Sequence, residues 1–206
     1  MNLAGLVLAG GAGARMDGAP DLAGAGPKAL LDLGGAPLIA RPLALLRIAC
    51  EETAVNAASG DEPAFARLGA PIVTDDRRFA GRGPLAGVHA GLVWAARLSP
   101  EPEALITLPC DTPFLPPDLP ARLAEVVRAG VPAAVARAGR RHPLCACWRL
   151  DLADALAGSF KAVGAGLAAH RFIREIGAVD VDFADEDAFD NVNTTADLER
   201  ARARLA

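Results

Sequence analysis

Short apolar runs and helix-spaced apolar positions alternate along the whole chain. Leu3–Leu8 is an unbroken apolar run stopped by glycines, the signature of a buried parallel strand. Pro37–Ala49 carries apolar residues at helical spacing, with a proline at its start where a missing amide does no harm. Ala54–Ala57 and Ile72-Val73-Thr74 read as the next two strands, separated by a short helix near Glu62–Leu68. Leu85–Arg97 is helical, and Ala104–Leu108 is a fourth apolar strand closed by Pro109. Asp118 is suited to cap a helix over Asp118–Ala129. Ala133–Ala138, Leu144–Trp148 and Val179–Phe183 read as further strands. Thr195–Leu205 is a closing helix with Glu199, Arg200, Arg202 and Arg204 on a solvated face. This alternation predicts an α/β fold: one Rossmann-like, doubly wound domain over residues 1–206, with helices on both faces of a mostly parallel sheet.

Composition narrows the partners. The 206 residues are 52% hydrophobic and 22% charged, which suits a globular chain with a core that needs no staples. Lys and Arg total 21 against 25 Asp and Glu, for a net charge of −4. Such a chain offers no polyanion-binding surface, so neither a nucleic-acid nor a membrane partner is expected. No apolar run approaches the ~20 residues of a membrane span. Met1-Asn2-Leu3-Ala4-Gly5 lacks a basic n-region, which predicts no signal peptide and a cytoplasmic location. Cys50, Cys110, Cys145 and Cys147 lie in apolar segments and are expected to be reduced, buried thiols rather than metal ligands.

In sheets of this kind ligands bind beyond the carboxyl ends of the strands, and the chemistry-bearing motifs fall there. Leu8-Ala9-Gly10-Gly11-Ala12-Gly13-Ala14-Arg15-Met16 opens with a glycine turn that lets backbone N–H groups approach an anion. Arg15 adds a forked cation suited to phosphate. A dinucleotide fingerprint would need a third glycine where Met16 stands, and no Gly-Lys-Ser/Thr is present for a Walker A loop. Gly10–Gly26 as a whole is too long for a plain turn, as functional loops often are. Lys28 follows as a point charge beside that loop. In Leu108-Pro109-Cys110-Asp111-Thr112-Pro113, an aspartate lies just past a buried strand and points into the crevice. Magnesium accepts one or two carboxylates plus substrate phosphates, so Asp111 is a sufficient protein anchor for Mg2+. In Asn191-Val192-Asn193 an extended backbone puts both amides on one side, where they can help hold that metal. Arg15, Lys28 and Asp111 are thus the catalytic candidates, and Asp111, Asn191 and Asn193 the metal candidates.

Weaker signals fill the remainder of a site. Gly83-Pro84-Leu85-Ala86-Gly87 opens a helix and can pack against a base or ribose. Asp75 and Asp76 follow a strand, where a carboxylate can accept hydrogen bonds from a guanine; strand register favours Asp75. Arg140-Arg141-His142 is a cationic knot in an acidic chain and a candidate site for a second anionic substrate. His89 and His170, in apolar helical contexts, read as packing or surface residues.

In this order the motifs resemble those of the molybdenum cofactor guanylyltransferase family, among the MobA-like nucleotidyltransferases. The resemblance rests on Leu8-Ala9-Gly10-Gly11…Arg15-Met16, Lys28, Gly83-Pro84-Leu85-Ala86-Gly87, Pro109-Cys110-Asp111-Thr112-Pro113, His142-Pro143 and Asn191-Val192-Asn193-Thr194, and covers nearly the whole chain. It implies a nucleotide-diphospho-sugar-transferase-like fold and transfer of GMP from GTP to the terminal phosphate of molybdopterin cofactor, with pyrophosphate released. It also admits transient contact with molybdoenzymes or other cofactor-biosynthesis proteins. Leu8, Ala9, Gly10, Gly11, Lys28, Asn56, Asp75, Gly83, Pro84, Leu85 and Asp111 are the nucleotide-binding positions it implies. Asn56 matches the first asparagine of a family Asn-Ala-Asn, of which the last is Ala58 here; Asp17–Pro27 is longer than the family's usual spacing. The alternatives are a related enzyme using CTP or another phosphorylated acceptor, and a non-catalytic nucleotide-binding homologue.

Overall fold

A computed structural model describes residues 1–10, 27–163 and 167–205. Strand β1 (Leu3–Leu8) is buried along its whole length, as its unbroken apolar run predicts. It pairs in parallel with β2 (Glu52–Ala57) on one side and β4 (Ala104–Pro109) on the other. Strand β3 (Ile72–Thr74) adds in parallel to β2, β6 (Arg140–Arg149) lies antiparallel to β4 and to β5 (Ala133–Ala138), and β7 (Val179–Asp182) closes the far edge parallel to β5. The seven-stranded order is β3-β2-β1-β4-β6-β5-β7, with β6 alone reversed. The mostly parallel α/β sheet is therefore as predicted.

Because successive strand residues point to opposite faces, β1 feeds two cores. Leu3 and Val7 join Leu43 and Leu46 of α1 (Ala40–Ala49) and Leu123 and Val127 of α4 (Leu119–Arg128). Leu6 and Leu8 join Leu85, Val88 and Leu92 of α3 (Pro84–Ala95) and Leu156 and Phe160 of α5 (Leu152–Val163) on the opposite face. The single-turn α2 (Glu62–Phe65) follows β2, α6 (Ala169–Glu175) packs Phe172 and Ile173 into the second core, and α7 (Thr195–Ala203) ends the described chain. Among the described residues no helix is long and apolar enough to cross a membrane.

Several predicted boundaries shift for local reasons. Helix α1 starts at Ala40 rather than Pro37, because Pro37 forms a bridge with Asp32 and the Leu38 and Ile39 amides donate to Leu31 and Ala29. Asp118 does not cap α4: its backbone is already helical, no side-chain cap bond forms, and its carboxylate lies 3.5 Å from Arg122 instead. The segment Leu144–Trp148 is the second half of the longer β6. Helix α5 is an addition to the expected elements, its Leu152, Leu156 and Phe160 recurring at four-residue spacing, and α6 is the helical context expected around His170.

A polar crossing joins β4 and β6 inside the buried sheet. Trp148 Nε1 donates to Thr107 Oγ1 at 2.9 Å, and that hydroxyl donates to Leu144 O at 2.8 Å. Both side chains are fully buried. Thr107→Val is isosteric but leaves an indole N–H and a carbonyl without this partner, so it should cost ~1–3 kcal/mol of stability. Equilibrium urea unfolding measures this; a change near zero would mean that neither bond matters to the fold.

Candidate active site

The site is built at the carboxyl ends of β1 and β4. After β1, the Ala9 amide donates to Asn56 O at 2.8 Å; after β4, the Cys110 amide donates to Leu8 O at 3.0 Å. These bonds carry the sheet ladder one step past the strands and place Ala9, Gly10, Cys110 and Asp111 side by side. A cleft of about 390 Å³ opens above them. Its floor is Leu8–Gly10 and Pro109–Thr112, and its sides are Lys28, the Gly83-Pro84 turn, Arg140–Cys145, His170 and Asn191. Gly83 enters α3 at φ 84°, a backbone conformation that favours glycine.

Four polar side chains from three distant segments meet at Asp111. Lys28 Nζ donates to Asp111 Oδ2 at 2.6 Å and to Asn193 Oδ1 at 2.7 Å. Asn191 Nδ2 donates to Asp111 Oδ1 at 2.8 Å, and the Val192 amide donates to Asp111 O at 2.8 Å. Asn191 and Asn193 thus both turn toward Asp111 and Lys28, as extended alternation about Val192 requires. The segment is anchored from behind by a capping box. Thr194 Oγ1 accepts from the Asp197 amide at 3.1 Å, while Asp197 Oδ2 accepts from the Thr194 and Asn193 amides at 2.7 and 2.9 Å. Helix capping and site-building therefore share one segment, with Thr194 at the cap, Asn191 lining the cleft and Asn193 outside its lining, bonded to Lys28.

Lys28 opens a short 3-10 turn, Lys28–Leu30, and its side chain is only 4% exposed. Asp111 is 16% exposed, so its side chain is the more open member of the pair. Each Asp111 oxygen accepts one bond from a side chain and keeps a further lone-pair direction. That single carboxylate, with amide oxygens beside it, fits a metal that takes few protein ligands and completes its shell with phosphates and water. Among the described residues no group of three or more His, Cys, Asp or Glu gathers to form an all-protein metal cage.

Asn56 and Asp75 stand beside the cleft, beyond Gly10 and at the ends of β2 and β3. Asn56 is buried and donates to Asp75 Oδ1 at 2.9 Å. Asp76 instead turns outward, where its carboxylate accepts Arg78 Nη2 at 2.6 Å. Burial pushes the Asp75 carboxyl above its ordinary range, opposed by the Asn56 hydrogen bond and by the field of His89. A folded-state pKa raised above the unfolded value makes the charged carboxylate a cost to the fold, growing as pH rises from the unfolded value through the folded one. Asp75→Asn should therefore raise the melting temperature slightly at pH 7.5, and this gain should vanish near pH 4. A lower melting temperature at pH 7.5 would contradict the burial cost.

The three cationic candidates for a second anion differ in what they are free to do. Arg141 Nε is paired with Asp180 at 2.8 Å. His142 is buried against the Phe189 ring at 4.6 Å, with Nε2 3.4 Å from Ala138 O. Burial pushes its pKa down, so it lines the cleft as a neutral ring. Arg140 faces the cleft and has no ion-pair partner among the described residues. Leu85 is wholly buried in the α3 core and is not part of the cleft wall. Gly11 and Arg15 lie outside the described residues. His170, expected in a helical context as a packing or surface residue, instead lines the cleft from the start of α6.

The MobA-like NTP transferase domain matches residues 5–179. The molybdenum cofactor guanylyltransferase of Cereibacter sphaeroides is 42% identical over 205 residues, covering 100% of this chain and 98% of that protein. The molybdenum cofactor guanylyltransferase of Acidiphilium cryptum (strain JF-5) is 43% identical over 209 residues, covering 98% and 95%. The solved structure of molybdopterin-guanine dinucleotide biosynthesis protein A from Archaeoglobus fulgidus superposes with a TM-score of 0.75 at 23% identity, covering 100% of this chain and 98% of that one.

Proposed function

The chain belongs to the MobA-like NTP transferase family, and from that premise we propose that it is a molybdenum cofactor guanylyltransferase, moving GMP from GTP onto the terminal phosphate of molybdopterin cofactor with release of pyrophosphate. The observation that carries this reading is the cluster of Lys28, Asp111, Asn191 and Asn193, of which the first three line the cleft and Asn193 holds Lys28. The backbone leaving β1 at Gly10, where the sheet ladder ends, lies on one side, and Arg140 stands on the other. An acceptor phosphate held near Arg140 lies across the cleft from a triphosphate held at the turn.

The reaction needs no protein nucleophile, because a phosphate monoester is already anionic at neutral pH. An oxygen of the acceptor phosphate forms a bond to the α-phosphorus of GTP as the α–β bridging oxygen departs with pyrophosphate. The protein's work is positioning and charge neutralisation. The backbone beyond Ala9, starting at Gly10, would face the triphosphate, and Lys28 places a buried positive charge beside the reacting phosphates. Asp111, with Asn191 and Asn193, would hold Mg2+, whose charge when bound neutralises phosphate oxygens. Asn191 and Lys28 meanwhile fix the Asp111 carboxylate from opposite sides. Asp75 is the acceptor for guanine: with one oxygen fixed by Asn56, the carboxylate presents acceptors alone, which match the guanine N1–H and N2–H and reject the edges of adenine and cytosine.

Pyrophosphate release, measured with each of the four NTPs and molybdopterin cofactor as acceptor, tests the assignment. Only GTP should support rapid release. Release driven by CTP at an equal rate would overturn the guanine reading.

A further inference from the structure

Asn56 occupies the middle of a three-strand ladder, paired with Leu8 of β1 and Val73 of β3, and is 2% exposed. Its amide nitrogen has two hydrogens, and both are committed: one to Val73 O at 3.0 Å, the other to Asp75 Oδ1 at 2.9 Å. It has no N–H left for a base. What remains is Oδ1, and it faces two glycines. A Cβ on Gly87 would lie 2.3 Å from Asn56 Oδ1 and 2.9 Å from its Cγ; a Cβ on Gly10 would lie 3.2 Å from the same oxygen and 3.0 Å from Ala58 N. The Gly87 clash falls on a short side chain that two hydrogen bonds hold from behind, so the amide can yield only by giving up one of them. Gly87 sits inside α3, where alanine would be the better helix former. Its lack of a side chain has its reason in Asn56.

On the reading of Asp75 as the guanine acceptor, we propose that Gly87 and Asn56 are positioning residues for base selectivity: Gly87 keeps open the space in which the Asn56 amide aims its N–H at Asp75. Neither touches the nucleotide. The Asn56 hydrogen bond fixes the carboxylate plane and favours its charged form against the burial that opposes it. Without it, Asp75 protonates more readily, and a protonated carboxyl presents an O–H to the donors of guanine. Selectivity then falls, and does so at a higher pH than in the parent protein.

The test is the ratio of GTP to ATP affinity, measured by calorimetry with Mg2+ across pH 5–8 for the parent chain, Gly87→Ala, Asp75→Asn and the double variant. Gly87→Ala should lose about tenfold or more of the ratio, the loss of a hydrogen bond to a charged group. Its ATP affinity should change by less than about twofold, and the pH at which the ratio collapses should move up. In the Asp75→Asn background Gly87→Ala should change the ratio by less than about twofold, since the two act in series. An unchanged ratio, an equal loss of GTP and ATP binding, or a full further loss in the double variant would overturn the relay. If Gly87→Ala fails to fold, Asn56→Ala must produce the same collapse and the same pH shift, or the proposal fails. A parent chain with no preference for GTP would instead overturn the guanine reading itself, and the relay with it.

Discussion

Asp111→Asn should fold and lose nucleotidyl transfer by about 10³-fold, the scale of removing one charge-stabilising group from a reacting phosphate site. The asparagine keeps the side chain's shape and can still accept from Lys28, but it carries no charge to hold a metal. Asp111→Ala behaves differently. An exposed carboxylate could be deleted without harm to the fold, but the partner of Asp111 is a lysine that is 4% exposed. Deleting the carboxylate leaves that ammonium with Asn193 alone, and stranding one member of a buried pair costs ~3–5 kcal/mol. Melting curves beside pyrophosphate-release assays separate the two effects. Asp111→Asn within about tenfold of the parent rate, at saturating GTP and magnesium, would contradict the metal role.

Lys28→Ala should reduce transfer by about 10³–10⁵-fold, as loss of a cation from a phosphoryl-transfer site does. Its effect on stability should be smaller than that of Asp111→Ala. Asp111 is 16% exposed, keeps its bond from Asn191, and can take up water where the ammonium stood. The two deletions of one ion pair should therefore rank in opposite order to a simple loss of contact, with the aspartate deletion less stable. Equilibrium unfolding of both variants measures the ranking. A mild kinetic effect in Lys28→Ala would assign the charge to another cation of the preceding loop, such as Arg15.

What could be read in advance divides along physical lines. The strands were legible because burial on both faces demands unbroken apolar runs such as Leu3–Leu8. Asp111 was legible as a residue just past such a run, and the Asn191/Asn193 pair through two-residue alternation. Their meeting was not: Lys28 reaches Asp111 over 83 positions and Asn193 over 165, and nothing local encodes those contacts. The same gap explains the cationic knot. Arg140, Arg141 and His142 look alike as charges, yet Asp180, 39 residues on, claims Arg141, and burial neutralises His142. Asp75 and Asp76 are adjacent letters whose roles diverge because one faces Asn56 and the other Arg78. Asp118 read as a helix cap on residue preference alone, and the preference lost to a backbone that was already helical. Gly87 was legible only as the end of the Gly83-Pro84-Leu85-Ala86-Gly87 helix opening; the reason for its missing Cβ lies in another strand.

The central claim is that this cleft transfers a guanylyl group between two phosphates. GTP labelled with ³²P at the α-position, incubated with the protein, magnesium and molybdopterin cofactor, measures it most directly. The label should move to the pterin in equal amount with the pyrophosphate released, and should stay on GTP when magnesium is chelated or when Asp111→Asn replaces the parent chain. Label appearing as free GMP, or transfer that persists in Asp111→Asn, would contradict it.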